Sequence, residues 1–398
     1  MDSFQNYSEL SQTADEISTK VKNFDGNHHV RTELLKQVDK LRLLLEEPID
    51  AVMRQWEYTN VIAALNLLVE TKTFETIPEK GSITAKALAA AVNVDESAIA
   101  RALRMSVMFG IGEEVEPDVF AHNSKSLVYR PGFQQEVFKL IYDHTPAYMK
   151  LPEYFRTHSK EDLYDLTKGP YAYGHGLEGK TYYEAISHTP ERLHMFNTTM
   201  VSMERQSPIV GMYPFATLKD EVEAEKERPF VVDIGGGRGQ ALIAIQKEAP
   251  EGFGAKMILQ DRSDVLESLT EQDIPNIEKM VYDFHTPQPI KNAHVYFIRR
   301  ILHDFYEPVC IQLLKNIASA MGPTSRVVIA DMIRPEKTDI GGEMIIYWMD
   351  FCMMMLNGKE KSEREFREII DAAGLEVVKI WRYPVGTQAQ IECRLKRV

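Results

Sequence analysis

Apolar residues recur at three- and four-residue intervals through VRTELLKQVDKLRLLLEEP, where Leu34, Leu35, Val38, Leu41 and Leu44 share one helical face. Pro48 breaks that helix. The run from Pro48 to Glu70 then resumes with an apolar face broad enough for burial on more than one side. Next, SITAKALAAAVNVDESAIARALRMSVMFGIGEEVEPDVFAHN reads as two capped helices and a small β-wing. Ser82 or Thr84 caps a helix through Ala91, Asp95 caps the second, and Gly110 stops it. The pattern is that of a winged helix-turn-helix. Its candidate recognition helix carries only Arg101 and Arg104 as basic residues and its wing is acidic, so packing or dimer contact is expected rather than DNA binding. Residues from about 130 to 212 stay mostly helical, rich in aromatics and methionine. The stretch YPFATLKDEVEAEKERPF reads as a charged, solvated link.

Beyond Pro229 the period changes. FVVDIGGG, AKMILQD, EKMVYD, HVYFIRR and RVVIADM are short β-rich runs separated by helical or loop segments, which implies a mostly parallel sheet covered on both faces. The tail LEVVKIWRYPVGTQAQIECRLK holds two alternating runs around Pro384-Val385-Gly386, an antiparallel pair closing the sheet. The expected division is 1–212, helical with the winged helix, and 213–398, a Rossmann-like α/β domain.

Composition narrows the function. With 46 Lys+Arg against 59 Asp+Glu the formal net charge is −13, which argues against a nucleic-acid footprint. Three widely spaced cysteines, Cys310, Cys352 and Cys393, have no metal or redox spacing, so a reducing compartment and no metal are expected. The polar, acidic N-terminus is not a secretory signal and no apolar stretch approaches the roughly 20 residues of a membrane span, so a cytoplasmic protein is expected.

The chemistry begins at VVDIGGGRGQALIAIQ, a strand, a glycine turn and a helix in succession. Gly235, Gly237 and Gly239 have G-x-G-x-G spacing; the dinucleotide pattern G-x-G-x-x-G is missing because Gln240 and Leu242 stand where its last glycine belongs. Asp233 closes the first strand, Asp261 the next, where a carboxylate can accept from a ribose diol, and Asp283-Phe284 follow the third. Three successive strands ending in Asp point to a nucleoside-type ligand.

DIGGGRG, QDRSDVL, YDFHTPQP, LHDF and NGKEKSEREF occur in one order along nearly the whole chain. In these motifs the chain resembles class I S-adenosylmethionine (SAM)-dependent O-methyltransferases of the caffeic-acid type and their fungal secondary-metabolite relatives. By matching position, the resemblance implies cofactor contacts at Asp233, Gly235, Gly237, Asp261, Asp283 and Phe284, with Arg299 in place of a basic residue at the fourth strand's end. It also implies that His303, just past that strand, is the general base for a phenolic hydroxyl. Glu360 is expected to orient it first and Asp331 second, Asp331 being one methylene shorter than the family's glutamate. Phe196, Met200, Met203 and Met353 fall at acceptor-lining positions, and Asn197 and Asn357 can add polar contacts. Asp304 can cap the helix that follows, and Tyr171, Tyr173 and His175 lie on a glycine-flexed loop read as a lid or subunit contact.

The implied activity is methyl transfer from SAM to a phenol of a small aromatic, polyketide-type metabolite, by a homodimer joined through the N-terminal helices. The alternative is a methyltransferase-like pericyclase or dehydratase that binds SAM without methylating. Some relatives of this kind share the LEEPIDAVMR and HTPQP stretches, but one replaces the LHDF histidine with arginine, whereas His303 is retained here.

Overall fold

The computed structural model describes residues 7–206, 208–384 and 386–397. They cluster into two compact units. The first holds 7–156, 171–205 and 339–342; the second holds 157–170 and most of 206–397.

In the first unit the predicted caps form. Thr84 Oγ1 accepts from Ala87 N (3.2 Å) at the head of helix Ala85–Val92, and Asp95 Oδ1 accepts from Ala98 N (3.0 Å) at the head of Glu96–Met108. Strands β1 (Ser82–Thr84), β2 (Glu113–Glu116) and β3 (Val119–Ala121) make an antiparallel sheet in the order β1-β3-β2. Leu88, Ile99, Leu103 and Phe120 bury together with Leu65 and Leu68 of helix Pro48–Glu70. Arg104 is engaged by Glu114 and Asp118 of the β2–β3 hairpin, so this helix's second basic residue is internally neutralised.

The helix His28–Leu45 carries its predicted apolar stripe, yet buries none of its residues within the chain. Leu35 is 53% exposed, and Trp56 on the neighbouring Pro48–Glu70 helix is 64% exposed. The expected glycine-flexed loop is different: Pro170–Gly174 is a short helix with Tyr171 wholly buried. Its hydroxyl donates to Asp143, which also accepts from Arg192 Nε (3.0 Å), and such a satisfied buried network is rigid rather than lid-like.

The second unit is built on β4 (Val231–Ile234), β5 (Met257–Asp261), β6 (Ile277–Val281), β7 (Val295–Arg299), β8 (Arg326–Arg334), β9 (Lys361–Ser362), β10 (Leu375–Arg382) and β11 (Gln388–Leu395). The order is β10-β11-β8-β7-β4-β5-β6, with β9 paired to the end of β8. Pairs among β4 to β8 are parallel, and β10 and β11 are antiparallel, as the tail's two alternating runs predict. Alternation sorts the side chains between faces. Val232, Ile234, Tyr296, Ile298, Val327 and Ile329 pack under helices Glu307–Ala318 and Glu363–Ala372. Val231, Val295, Phe297, Val328 and Leu259 pack on the opposite face under Gln240–Glu248.

Two local expectations are corrected here. The stretch read as a solvated link is helical over Phe215–Leu218 and Lys219–Ala224, and Tyr213, Phe215, Leu218 and Val222 are buried against the sheet. Its apolar residues at three- and four-residue spacing outweigh its charges, which stay outside. Asp304 does not cap Glu307–Ala318, whose N-cap is Tyr306 with no side-chain bond; Pro308 does sit in the first turn. No described helix is long and apolar enough to cross a membrane.

Candidate active site

Strand β4 feeds directly into the glycine bend, flanked by β5 and β7. Gly235 and Gly236 donate N–H to Gln260 O at 2.8 and 3.2 Å, which ties the bend to β5. Gly235 has φ +65°, which favours glycine, and a Cβ there would lie 2.8 Å from Ile301 Cδ1, whose side chain would have to shift. Asp233 is fully buried beneath the bend, where the missing side chain of Gly236 leaves room for its carboxylate. Gly237, at φ +58°, donates its N–H to Asp261 Oδ2 at 2.8 Å, and Arg262 N donates to Asp261 Oδ1 at 2.8 Å. Each Asp261 oxygen keeps a further lone pair. Burial pushes this carboxyl above its ordinary range, and the two backbone donors oppose that.

Along the same carboxyl edge, beyond β6, Asp283 is exposed and turns its own loop through His285 N (3.0 Å). Phe284 is half-buried, its ring edge-on to Phe305 at 6.0 Å and close to the space over Gly235. Its backbone is fixed by Asn316 Nδ2, which donates to Phe284 O at 3.1 Å. Arg299 is the last residue of β7, half-buried at the same edge. Asp261, Gly235, Gly237, Phe284 and Arg299 thus belong to four adjacent strand ends. The left-handed glycine bend, a partly satisfied carboxylate and a half-open aromatic face fit a nucleoside with a diol.

After Arg299 the backbone reverses through Arg300, at φ +55°, into a single turn Leu302–Asp304. His303 on that turn is 7% exposed. Its Nδ1 lies 2.9 Å from Glu360 Oε1; its Nε2 lies 3.1 Å from Arg300 O and 3.4 Å from Asp304 Oδ1. The segment bearing Glu360 is sewn to the turn. Lys359 N donates to His303 O (2.8 Å), and buried Lys361 Nζ donates to Leu302 O, Phe305 O and Lys359 O at 2.8 Å each. Of the two expected orienting acids, Glu360 therefore meets the ring directly. The shorter Asp331 makes no hydrogen bond to it among the described residues, and its Oδ1 faces Arg300 Nη1 at 3.5 Å.

Burial, and next to it the Arg300 charge, hold the His303 imidazole below the ordinary histidine range. Burial pushes Asp331 and Glu360 upward, against the pull of His303 and Arg300 on the first and of Arg300 and Lys361 on the second. Ligand atoms of His303, Asp331 and Glu360 converge within 4.8 Å, a set that attracts a cation, and Arg300 Nη1 supplies one at 3.5 and 3.4 Å from the two acids. Sequence reasoning passes over Arg300 and Lys361. The available signal is a second arginine directly after an apolar strand, and a lysine next to Glu360 in GKEKSE.

The acceptor-lining candidates are distributed between the units. Phe196, Met200 and Met203 lie half-buried on one face of helix Pro190–Gln206, with Phe196 edge-on to Tyr182 (6.0 Å) and Tyr183 (6.1 Å), while Asn197 is exposed. Met353 is buried in Met344–Met355 of the second unit. Asn357 is turned inward, its Nδ2 donating to Leu163 O (2.9 Å) and Asp165 O (3.3 Å), so its amide holds a loop.

Residues 148–376 match the O-methyltransferase domain family. The chain is 43% identical over 394 residues to O-methyltransferase hmp5 of Hypomyces subiculosus, covering 98% of each chain. It is 33% identical over 384 residues to O-methyltransferase kntB of Aspergillus niger, covering 95% of this chain and 91% of that one. Among solved structures, OxaC in complex with SAH and oxaline superposes with TM-score 0.83 at 27% identity, over 98% of this chain and 99% of that one. LepI in complex with SAM has the same fold, at TM-score 0.81 and 24% identity over 98% of this chain and 100% of that one.

Proposed function

The chain belongs to the O-methyltransferase family, and we propose that it is a SAM-dependent enzyme methylating a phenolic hydroxyl of a small aromatic secondary metabolite, with His303 as general base. The observation that carries the reading is the shared edge: the glycine bend after β4 and the His303 turn after β7, with Glu360 on its ring, follow adjacent parallel strands. Ligands of parallel sheets collect at that edge.

SAM, when bound, supplies the electrophilic methyl group. Asp261, with lone pairs left on both oxygens, would hold its ribose diol, Gly235 and Gly237 would let the backbone approach it, and Phe284 offers a face for its base. Asp283 and Arg299 on the rim would complete the set, while Asp233, fully buried beneath the bend, supports the loop from below. A phenol has a pKa of about 10 and is a weak nucleophile near neutrality. With its proton on Nδ1, donated to Glu360 Oε1, His303 keeps Nε2 as the acceptor, and a phenol O–H would bond it by entering the place beside which Arg300 O now lies at 3.1 Å. Once Nε2 has taken that proton, the new N–H points at the phenolate oxygen, with Arg300 O beside it as a second acceptor. Glu360 meanwhile stabilises the imidazolium, as a carboxylate behind a catalytic histidine does.

Phe196, Met200 and Met203, with Asn197 beside them, form a face suited to a flat ring, as does Met353. The exposed apolar stripe of His28–Leu45 and Pro48–Glu70 supports a homodimer, since leaving Leu35, Ile49 and Trp56 in water is unfavourable. Buried free thiols Cys310 and Cys393 agree with a reducing cytoplasm. The test is incubation with SAM and a panel of phenols, reading S-adenosylhomocysteine. Formation of that product establishes methylation. SAM binding without product on any phenol favours the pericyclase or dehydratase reading.

A further inference from the structure

His303 is held at both ring nitrogens by a loop of contacts that begins and ends at Arg300. Nε2 lies 3.1 Å from the Arg300 carbonyl, and Nδ1 lies 2.9 Å from Glu360 Oε1, the same oxygen that Arg300 Nη1 approaches at 3.4 Å. The loop closes on itself: carbonyl, imidazole, carboxylate, guanidinium. At Arg300 the backbone is left-handed, φ +55°, and its carbonyl meets the ring while its side chain meets the carboxylate behind the ring.

The charges around the ring come from several elements. Asp331 arrives from β8, and Glu360 and Lys361 from the segment at β9. Asp304 comes from the ring's own turn, and Asp350 of Met344–Met355 accepts from Glu360 N at 2.9 Å while facing Arg334 at 3.8 Å. At the centre two buried acids, Asp331 and Glu360, meet two cations, Arg300 and Lys361. Lys361 directs its three N–H donors to backbone carbonyls, so Arg300 is the cation whose side chain touches both acids.

We infer that Arg300 is a positioning residue that keeps the His303–Glu360 pair in its base-competent form, by supplying the positive charge the imidazole would otherwise have to carry. Without the guanidinium the buried acids hold one uncompensated negative charge, and such a charge draws a proton. Geometry directs it to the ring, because Nδ1 faces a carboxylate oxygen and Nε2 a carbonyl oxygen, both of which accept from an imidazolium. A ring already protonated cannot deprotonate a phenol. This assignment rests on His303 being the base.

The experiment compares wild type, Arg300→Met, Arg300→Gln and Arg300→Lys as [15N]histidine-labelled proteins with S-adenosylhomocysteine bound. The His303 resonance is assigned by its loss in His303→Ala and followed against pH by NMR. The neutral replacements are expected to move ring protonation upward by about one pH unit or more, and Lys to restore it to within about half a unit of wild type. Coincident titrations for wild type and both neutral variants overturn the inference, as does a Lys variant that behaves like Met. Should Met not fold, Gln against Lys gives the same decision. Wild-type methylation by His303→Ala would instead defeat the base reading, and the titrations register the two failures separately.

Discussion

Replacing Glu360 by Gln keeps the shape of the group behind His303 and removes its charge. Glu360 is fully buried, with Oε1 2.9 Å from His303 Nδ1 and Oε2 without a hydrogen-bond partner among the described residues. A Gln carbonyl at the Oε1 position still accepts from Nδ1–H and faces Arg300 Nη1, so the ring tautomer is preserved. What is lost is stabilisation of the imidazolium as the proton arrives. A hydrogen bond to a charged group contributes about 1.5–3 kcal/mol against about 0.5–1.5 for a neutral one. Adjacent opposite charges at an effective dielectric near 20 add attraction on the order of 4 kcal/mol, part of which Arg300 on the same oxygen cancels. A net loss of about 2–3 kcal/mol lowers kcat about 30- to 150-fold. Asp331→Asn is the companion, because Asp331 reaches Arg300 and not the ring; it is expected to lower kcat by less than about fivefold. Single-turnover formation of S-adenosylhomocysteine gives the rate, and calorimetric S-adenosylhomocysteine affinity controls for binding. An Asp331→Asn enzyme slower than the Glu360→Gln enzyme, or a Glu360→Gln enzyme within about threefold of wild type, would refute the reasoning.

His303→Ala is expected to bind S-adenosylhomocysteine within a few-fold of wild type while losing about 10²–10⁴ in kcat; undiminished turnover on a phenol counts against the base. Turnover should rise with pH through the ring's titration and hold above it, because burial and Arg300 place that titration below the ordinary histidine value and only the neutral ring accepts a proton; a kcat–pH profile falling between about pH 6 and 8 contradicts this. Asp261→Asn keeps the contacts to Gly237 and Arg262 only in part and should weaken S-adenosylhomocysteine binding about 10- to 100-fold by calorimetry, with the thermal midpoint of the apoprotein little changed. The double substitution Ile49→Asp, Trp56→Asp should convert a particle of about twice the 45.5 kDa chain mass into one of single-chain mass by light scattering. A wild type that is itself monomeric at every concentration removes the dimer proposal.

The chain's period does much of the work of specifying this protein. Apolar runs at Val231–Ile234, Met257–Asp261 and Val295–Arg299 fit strands buried on both sides, and the glycines at 235, 237 and 239 fit the ligand-binding bend that follows such a strand. Periodicity also exposes the helical first half and its capping residues. At YPFATLKDEVEAEKERPF the density of charge masks a helical spacing, and at Pro170–Gly174 glycines and tyrosines suggest a loop although Asp143, far off in sequence, locks Tyr171.

The composition of the surroundings of His303 lies beyond local reading for the same reason. His303 and Glu360 are 57 residues apart, and their contact depends on Lys361 and Lys359 stitching a distant segment to the turn. Spacing along a chain records which face a residue takes within its own element. Which charges meet in a buried space is settled by how separate elements dock. That is why the sequence could nominate His303 and rank Glu360 before Asp331, while only the tertiary structure showed Glu360 against the imidazole and the Arg300 side chain between both acids.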